Sequence, residues 1–293
     1  MGAVMSTPED AIKTSAFTTD GPVRIEVQLS GGSLEVELAD SGSAGGEDGV
    51  QVDVRHAPDE GMPWAQVVSN ALSWVNEQFG EQFTADVVGT ASAAVEQTRV
   101  ELAGNRLVVQ APKTLPMRHQ PLAVTVRAPA DSELDIRTSS ASVVVTGTAS
   151  TATVTTSSGD VTLERVTGTA NIRTASGAVT VTSLSATSSI VTGSGDVRLS
   201  EFNDADGKLN LRSGSGDLAV SGATAGSLTA KTGSGDVRLE LAEGVLAEVH
   251  LSSASGRANS ELEVQNTPPE QTAPLRINAR SGHGSVTVGG PRK

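Results

Sequence analysis

The hydrophobic positions of this chain alternate with polar ones in short runs, and pairs of such runs recur along most of its length. Within a run, two apolar residues flank one polar residue, as in Val197/Leu199 and Val237/Leu239. This spacing places both apolar side chains on one face of a β-strand and the polar side chain on the other. Glycine and other small residues separate the runs, which is typical of sharp turns. The pattern therefore predicts many short strands, each with one buried face.

A column of glycines marks the repeat. The octamer TGSGDVRL occurs at 192–199 and again, letter for letter, at 232–239. Eight segments align on the position of the glycine that precedes the aspartate of this octamer. The members of this anchor column are Ala141, Gly159, Gly177, Gly195, Gly216, Gly235, Gly256 and Gly284. They lie 18, 18, 18, 21, 19, 21 and 28 residues apart, and the last step contains the proline-rich segment NTPPEQTAP, which indicates a loop. A nearly fixed period with two strands per unit is typical of stacked coils.

We therefore predict an all-β fold: a β-solenoid, built as a single-stranded, β-helix-like stack of two-strand coils of about 18–21 residues. A narrow core lined by aliphatic residues explains why aromatic residues make up only 2% of the chain. The alternative is an antiparallel meander in which each glycine turn is a hairpin. It would require about sixteen strands in one open sheet, which is longer than open sheets usually are.

The chain divides into three predicted regions. Residues 1–20 are expected to be a disordered tail, 21–130 an N-terminal β region, and 131–290 the regular solenoid repeats. In the N-terminal region, VRIEVQLSGGSLEVEL (23–38) is a degenerate copy of the repeat with Gly32 in the anchor column. TRVELAGNRLVVQAP (98–112) is predicted to be a hairpin around Gly104 and Asn105.

One amphipathic helix is predicted at 63–79, because Pro63 suits its first turn and Gly80 its end. Its apolar stripe, together with the phenylalanine that follows, gives a candidate surface for capping the solenoid or docking a partner. That surface consists of Trp64, Val67, Val68, Leu72, Trp74, Phe79 and Phe83. A solenoid has open ends whose strands would otherwise pair with other chains, so the helix is expected to cap an end. The alternative is that it docks a protein partner or a second copy of the chain.

Aspartates follow the anchor glycines, and three of them are expected to lie on successive coils. With two neighbouring arginines they form a predicted exposed charge ladder: Asp196, Arg198, Asp217, Asp236 and Arg238. One interpretation is a calcium ladder, but the spacing differs from that of calcium-binding repeats. The other is that these are turn aspartates paired with basic residues. The basic residues are Arg198 and Arg238 just after the corner, and Arg137, Arg173, Arg212, Lys231 and Arg280 just before it.

Composition and motifs exclude several functions. The net charge of −13 argues against nucleic acid as a partner, because nucleic-acid surfaces favour basic proteins. No metal-ligand spacing, phosphate-binding loop or nucleophile elbow occurs, so no catalytic residue, metal or cofactor is predicted, and we expect no enzyme. A polysaccharide-cleaving enzyme would need paired carboxylates on an exposed sheet face. No run of residues is apolar enough to span a membrane, whereas peripheral membrane association stays open. The N-terminal residues lack a secretory pattern and the chain has no cysteine, and we expect a cytoplasmic protein.

The repeated R-T-x-S-G-D-V-x-L pattern, the hairpin GNRLVV and the tryptophan-bearing segment before it resemble the DUF4097 family, also known as toastrack. The resemblance extends from about residue 20 to the end of the chain. It implies a bacterial protein with a solenoid-like stack of strands and an association with cell-envelope stress, and it supplies no catalytic residues. We therefore expect a non-enzymatic scaffold or interaction protein with a protein partner or self-association. The alternative is an adhesin-like, ligand-binding protein at the cell surface.

Overall fold

The structure is a computed structural model, and it describes residues 12–39, 49–57, 92–114, 120–262 and 273–291. Apart from a short helix, α1, at 92–97, the regular elements of these residues are β-strands. In the N-terminal part the strands are β1 (Ile12–Thr18), β2 (Arg24–Leu29), β3 (Gly32–Ala39), β4 (Gly49–His56), β5 (Arg99–Ala103), β6 (Arg106–Gln110), β7 (Leu122–Pro129) and β8 (Ser132–Thr138). In the rest they are β9 (Ser142–Thr155), β10 (Val161–Val166), β11 (Ala170–Thr174), β12 (Val179–Leu184), β13 (Ser188–Thr192), β14 (Val197–Ser213), β15 (Leu218–Thr232), β16 (Val237–Leu241), β17 (Ala247–Ser253), β18 (Ala258–Ser260), β19 (Leu275–Ser281) and β20 (Val286–Gly289).

The strands form two walls joined by the glycine corners. Wall A contains, in spatial order, β5, β6, β2, β8, the end of β9, β11, β13, the end of β14, the end of β15, β19 and β17. Wall B contains β1, β4, β7, β3, the start of β9, β10, β12, the start of β14, the start of β15, β16, β20 and β18. Pairing is parallel except where β1, β4 and β5 join their neighbours. The predicted β-solenoid is confirmed, and the meander is excluded because consecutive coils pair in parallel.

The core fills the narrow space between the walls. Val197 and Leu199 of β14 stack between Val179/Val181 and Leu218/Val220, and all of these side chains are buried. The polar residues between them face solvent, as the alternation predicts. Among the described residues, Phe202 is the largest of the fully buried side chains, and the other buried hydrophobic residues are aliphatic. Strands β9 and β14 run through both walls, so β9, β10, β12, β14, β13 and β11 close a ring of six parallel strands.

The spatial order of the coils differs from their order in the chain at both ends. The coil of β2 and β3 lies between that of β6 and β7 and that of β8 and β9. In the same way, the coil of β19 and β20 lies between that of β15 and β16 and that of β17 and β18. The first and last coils of the sequence are therefore not the outermost coils of the stack, because one other coil lies outside each of them.

The structure differs from the prediction for the N-terminal region in two places, at residues 12–18 and at residues 92–97. Residues 12–18 belong to the predicted disordered tail, yet they form β1, because the free edge of β4 offers backbone groups that pair with them in antiparallel register. Helix α1 was not predicted. It precedes β5, the edge strand of wall A. Its C-terminal end lies against β1, the edge strand of wall B, because Lys13 Nζ of β1 donates a hydrogen bond to Thr98 O, just after the helix, at 2.6 Å. With Ala94 and Val95 buried, α1 closes the N-terminal end of the described core. The predicted helix at 63–79 lies outside the described residues.

Candidate interaction surfaces

A hydroxyl group lies at the glycine corner of each regular coil. Thr192 Oγ1 accepts a hydrogen bond from Gly195 N at 2.9 Å. In the next coil, Ser213 Oγ accepts one from Gly216 N at 2.8 Å and donates one to Gly195 O at 3.3 Å. The same accepting position is held by Thr156, Thr174, Thr232, Ser253 and Ser281. These hydroxyls satisfy backbone groups that the turn removes from the sheet ladder, so the corner is fixed from within.

The anchor glycines are required by the close approach of neighbouring coils. A Cβ atom on Gly195 would lie 1.9 Å from Gly177 O, and one on Gly235 would lie 2.1 Å from Gly216 O. The φ angles of Gly195 and Gly235 are not in the left-handed region, whereas Gly32 of the N-terminal copy has a φ of 103°. In the regular repeats, glycine is therefore required by coil-to-coil contact and not by a special turn conformation.

The aspartates after the anchor glycines form a second coil-to-coil ladder on the outside of the corner. Asp196 Oδ1 accepts a hydrogen bond from Asp217 N at 2.9 Å, and Asp217 Oδ1 accepts one from Asp236 N at 2.8 Å. Asp236 Oδ1 continues the series by accepting from Ser285 N at 2.8 Å. Each carboxylate thus satisfies the backbone of the next coil in space, where the sequence predicted only a local turn.

The two arginines of the predicted charge ladder lie beside these carboxylates. Arg198 Nη2 is 3.0 Å from Asp196 Oδ2, and Arg238 Nη2 is 2.7 Å from Asp236 Oδ2. Arg238 Nη1 also lies 3.6 Å from Asp217 Oδ2. Among the described residues, no three His, Cys, Asp or Glu side chains are grouped so that they could hold a metal ion. The structure thus gives these carboxylates backbone amides and guanidinium groups as partners.

The sequence predicted that the basic residues before the corner would pair with the aspartate column, but the structure does not show these pairs. They belong to wall A, and the glycine corner separates them from the aspartates at the start of wall B. Arg137 pairs instead with Asp135 of its own strand, at 3.2 Å. In the part of the chain that the structure describes, Arg212, Lys231 and Arg280 form no ion pair.

These unpaired cations belong to a surface that we call the basic face. It consists of the outward residues on three neighbouring strands of wall A, the ends of β14 and β15 together with β19. Its members are Lys208, Asn210, Arg212, Ser227, Thr229, Lys231, Arg276, Asn278 and Arg280. All five cations are exposed, and no carboxylate occupies any of the nine positions. The whole chain has 34 acidic and 21 basic residues, so this face reverses the overall charge balance.

The opposite end of wall A has the same geometry but is neutralised internally. On β6, β2 and β8, Arg106 Nε donates to Glu26 Oε1 at 2.7 Å, and Arg24 Nε lies 3.2 Å from the same oxygen. Arg24 and Arg137 both approach Asp135, at 3.8 and 3.2 Å. The hydrogen bond from Arg106 holds the pKa of Glu26 below its ordinary value, and the charges of Arg106 and Arg24 act in the same direction. The outward cations at this end of the wall are therefore matched by carboxylates of the same chain.

A shallow cleft of about 340 Å³ lies where the basic face meets β17. Its lining includes Thr229, Arg276 and Asn278 of the basic face and Glu248 and His250 of β17. Arg276 Nε lies 3.1 Å from Glu248 Oε2, and this is the ion pair that the structure gives to the basic face. A second cleft, of about 450 Å³, lies at the other end of the wall near Lys113 and Arg137.

The predicted capping or docking surface lies outside the described residues. All of its members fall between 58 and 91: Trp64, Val67, Val68, Leu72, Trp74, Phe79 and Phe83. Its role therefore stays a prediction. In the described ranges, no helix is long and apolar enough to cross a membrane.

The stacked coils, their glycine corners and the parallel walls define a β-solenoid of the toastrack type. The family model for Toastrack DUF4097 matches residues 75–288, so this chain belongs to that family. The resemblance noted in the sequence is confirmed.

Two solved structures resemble the chain over nearly its whole length, both at low sequence identity. A candidate adhesin from Bacteroides fragilis is 12% identical, with a TM-score of 0.49 over 97% of this chain and 99% of that chain. A candidate adhesin from Parabacteroides distasonis is also 12% identical, with a TM-score of 0.49 over 96% of this chain and 97% of that chain. No curated protein matches the chain.

Proposed function

We propose that this protein is a non-enzymatic scaffold that holds partner proteins on the outer surfaces of its walls. The observation that carries the proposal is the basic face, where exposed cations recur on neighbouring strands above a continuous buried core. Solvent-facing cations that have no carboxylate within the described chain are available to a partner. Membership in the Toastrack family supplies no catalytic residue that would argue for chemistry instead.

The corners support a scaffold because they hold the walls in register. The coils that contain Gly195, Gly216 and Gly235 are joined to one another by the sheet ladders, by the corner hydroxyls and by the aspartate carboxylates. Groups that are ordered before binding lose less conformational entropy when a partner arrives. An array of side chains on such a support therefore keeps its spacing with or without a partner.

The proposal includes a cytoplasmic location and a link to cell-envelope stress, and its competitor is an adhesin at the cell surface. The two differ in where the protein is found and in what it binds. Fractionation of the native cells, with protease added to intact cells before lysis, separates these locations. We expect the protein in the cytosolic fraction and protected from the added protease. Cleavage on intact cells would contradict the location and favour the adhesin.

The scaffold itself is tested by the size of the protein in a native lysate. The chain has a mass of 29.7 kDa, and we expect a larger complex that contains at least one other protein. The comparison is the purified chain at the same concentration. Migration of the lysate protein as a free monomer under all growth conditions, envelope stress included, would contradict the proposal.

A further inference from the structure

We propose that the basic face binds an acidic, extended segment of a partner protein. The inference rests on the scaffold function proposed above and names the chemistry of its partner. In this arrangement, carboxylates of the partner occupy positions on wall A that the chain fills with its own carboxylates at the other end of the same wall.

The two ends of wall A provide an internal comparison. On β6, β2 and β8, the outward arginines lie among the carboxylates of Glu26 and Asp135. On the ends of β14 and β15 and on β19, the corresponding outward positions carry five cations and four neutral hydrogen-bonding side chains. Backbone geometry and side-chain direction are alike at both ends. The difference is that the carboxylates are missing at the second end, and a partner can supply them.

An ion pair at the border of the basic face indicates that its cations can bind carboxylates. Arg276 is the cation nearest to an acidic neighbouring strand, and it pairs with the carboxylate of Glu248 at 3.1 Å. Arginine recognises carboxylates well because its planar guanidinium presents several donors in a fixed arrangement. Arg212 and Arg280 have the same chemistry but no carboxylate within the described residues.

The spacing of the basic face suits a narrow, extended chain. Arg212, Lys231 and Arg280 are register neighbours on adjacent strands, so they form a row with a step of about 4.8 Å. Lys208 and Arg276 lie four residues earlier on their strands, about 13 Å away across the face. Amide and hydroxyl groups occupy the positions between the two rows. A peptide that follows the stack axis between the rows can place acidic side chains on both sides and its own polar groups against these amides and hydroxyls.

Other anionic partners match the face less well. Nucleic acid carries about one charge per 1.7 Å of duplex and would be repelled by the rest of a chain with net charge −13. Single strands also use aromatic side chains for base stacking, and none of the nine residues is aromatic. An anionic membrane is a plane, and a plane large enough to cover the face would also approach the carboxylate of Glu248 at its border with β17. A narrow acidic segment reaches the cations and avoids that carboxylate.

The test measures binding of poly-L-glutamate to the full chain at low salt, by fluorescence anisotropy of the labelled polymer. The variant carries Arg212→Glu, Lys231→Glu and Arg280→Glu. The matched control carries Arg55→Glu, Arg165→Glu and Arg257→Glu, which change the net charge equally at exposed positions outside the basic face. We expect the variant to bind at least about tenfold more weakly than wild type, a difference of about 1.4 kcal/mol. The control should lose much less. Equal losses in both would overturn the proposal, because binding would then follow net charge alone.

Two further comparisons complete the test. Melting curves establish that the triple variant is folded, and the single variant Lys231→Glu serves if it is not, with Arg165→Glu as its control. Single-stranded DNA, heparin and vesicles of phosphatidylglycerol are measured alongside poly-L-glutamate. Stronger, face-dependent binding of any of these three would overturn the choice of an acidic peptide. If no polyanion binds through the face while the chain still forms a complex with another protein in cells, this inference is wrong and the scaffold proposal stands.

Discussion

Lys231 is predicted to lower the stability of the fold, so that replacing it with glutamate makes the protein more stable. In the sheet, Lys231 is the direct register neighbour of Arg212 on one side and Arg280 on the other. Like charges on neighbouring strands destabilise a sheet, whereas opposite charges stabilise it. Lys231→Glu converts two repulsive pairs into two attractive ones and turns a row of three cations into an alternating row.

The size of the effect follows from the exposure of the three side chains. Exposed pairs contribute about 0.2–1 kcal/mol each, because water and salt screen them. Each pair that changes from repulsion to attraction gains about twice its single contribution, so the two pairs together should raise the free energy of unfolding by about 0.8–4 kcal/mol. Lys231→Gln removes the repulsion without adding attraction, so we expect it to give about half of this gain.

The assay is urea denaturation followed by circular dichroism, at low and at high salt. Stacked coils can unfold in more than one step, so the comparison uses the midpoint of the main transition in each variant. The gain for Lys231→Glu should shrink as salt rises, since the screening length falls from about 10 Å at 0.1 M to about 3 Å at 1 M. A loss of stability for Lys231→Glu, or a gain that salt does not change, would refute the reasoning that the row is electrostatically strained.

Three further predictions concern the core, the corners and the ion pairs of wall A. Val237→Asp should lower the free energy of unfolding by several kcal/mol, because it buries a charge without a partner. Arg238→Asp changes an exposed side chain and should cost about 1 kcal/mol. Similar denaturation midpoints for the two variants would mean that the inward and outward faces of the strand are wrongly assigned. Gly195→Ala should lower the melting temperature strongly, because the new Cβ would lie 1.9 Å from a carbonyl oxygen of the neighbouring coil, and an unchanged melting temperature would count against the stacked corner. Glu26 has a lowered pKa in the folded state, so its pairing with Arg106 contributes stability above the ordinary carboxyl pKa of 4.5 that is lost as pH falls through the folded value. In Glu26→Gln this part of the acid sensitivity should disappear, as a pH series of melting temperatures would show.

The core could be predicted from the sequence because alternation within a strand is local information. Val197/Leu199 and Val237/Leu239 are each two residues apart, and a strand that buries one member of a pair must bury the other. The glycine column gave the positions of the corners in the same way. What the column could not show is why glycine is needed, since the carbonyl that excludes a Cβ belongs to another coil.

The order of the coils could not be predicted, because every coil presents similar strand edges to its neighbours. Nothing in the period indicates that β19 pairs with β15 on one side and with β17 on the other. This order also creates the basic face. If the coils stacked in chain order, Lys231 would lie beside Ser252 of β17, but the inserted last coil places Arg280 next to it. The sequence therefore revealed the basic residues but not that they would form a surface.

The aspartate ladder could be predicted only in part from the sequence. The spacing placed Asp196, Asp217 and Asp236 on successive coils, and the register agrees. The hydrogen-bond partner of each carboxylate, however, is a backbone amide in the next coil in space, which lies 21, 19 and 49 residues further along the chain for Asp196, Asp217 and Asp236. Local turn preferences cannot indicate such a partner.

Photo-crosslinking in the native cells shows directly whether the basic face holds an acidic segment of another protein. A photoreactive amino acid replaces Thr229, the middle residue of the basic face, and a second version of the protein carries it at Thr162 on the outer surface of wall B. Mass spectrometry then identifies the crosslinked peptides. We expect a reproducible adduct between position 229 and a segment rich in aspartate and glutamate. This adduct should be absent from position 162 and should be lost with Arg212→Glu and Arg280→Glu. Adducts of equal yield at both positions, or an adduct at 229 to a neutral or basic segment, would contradict the proposal.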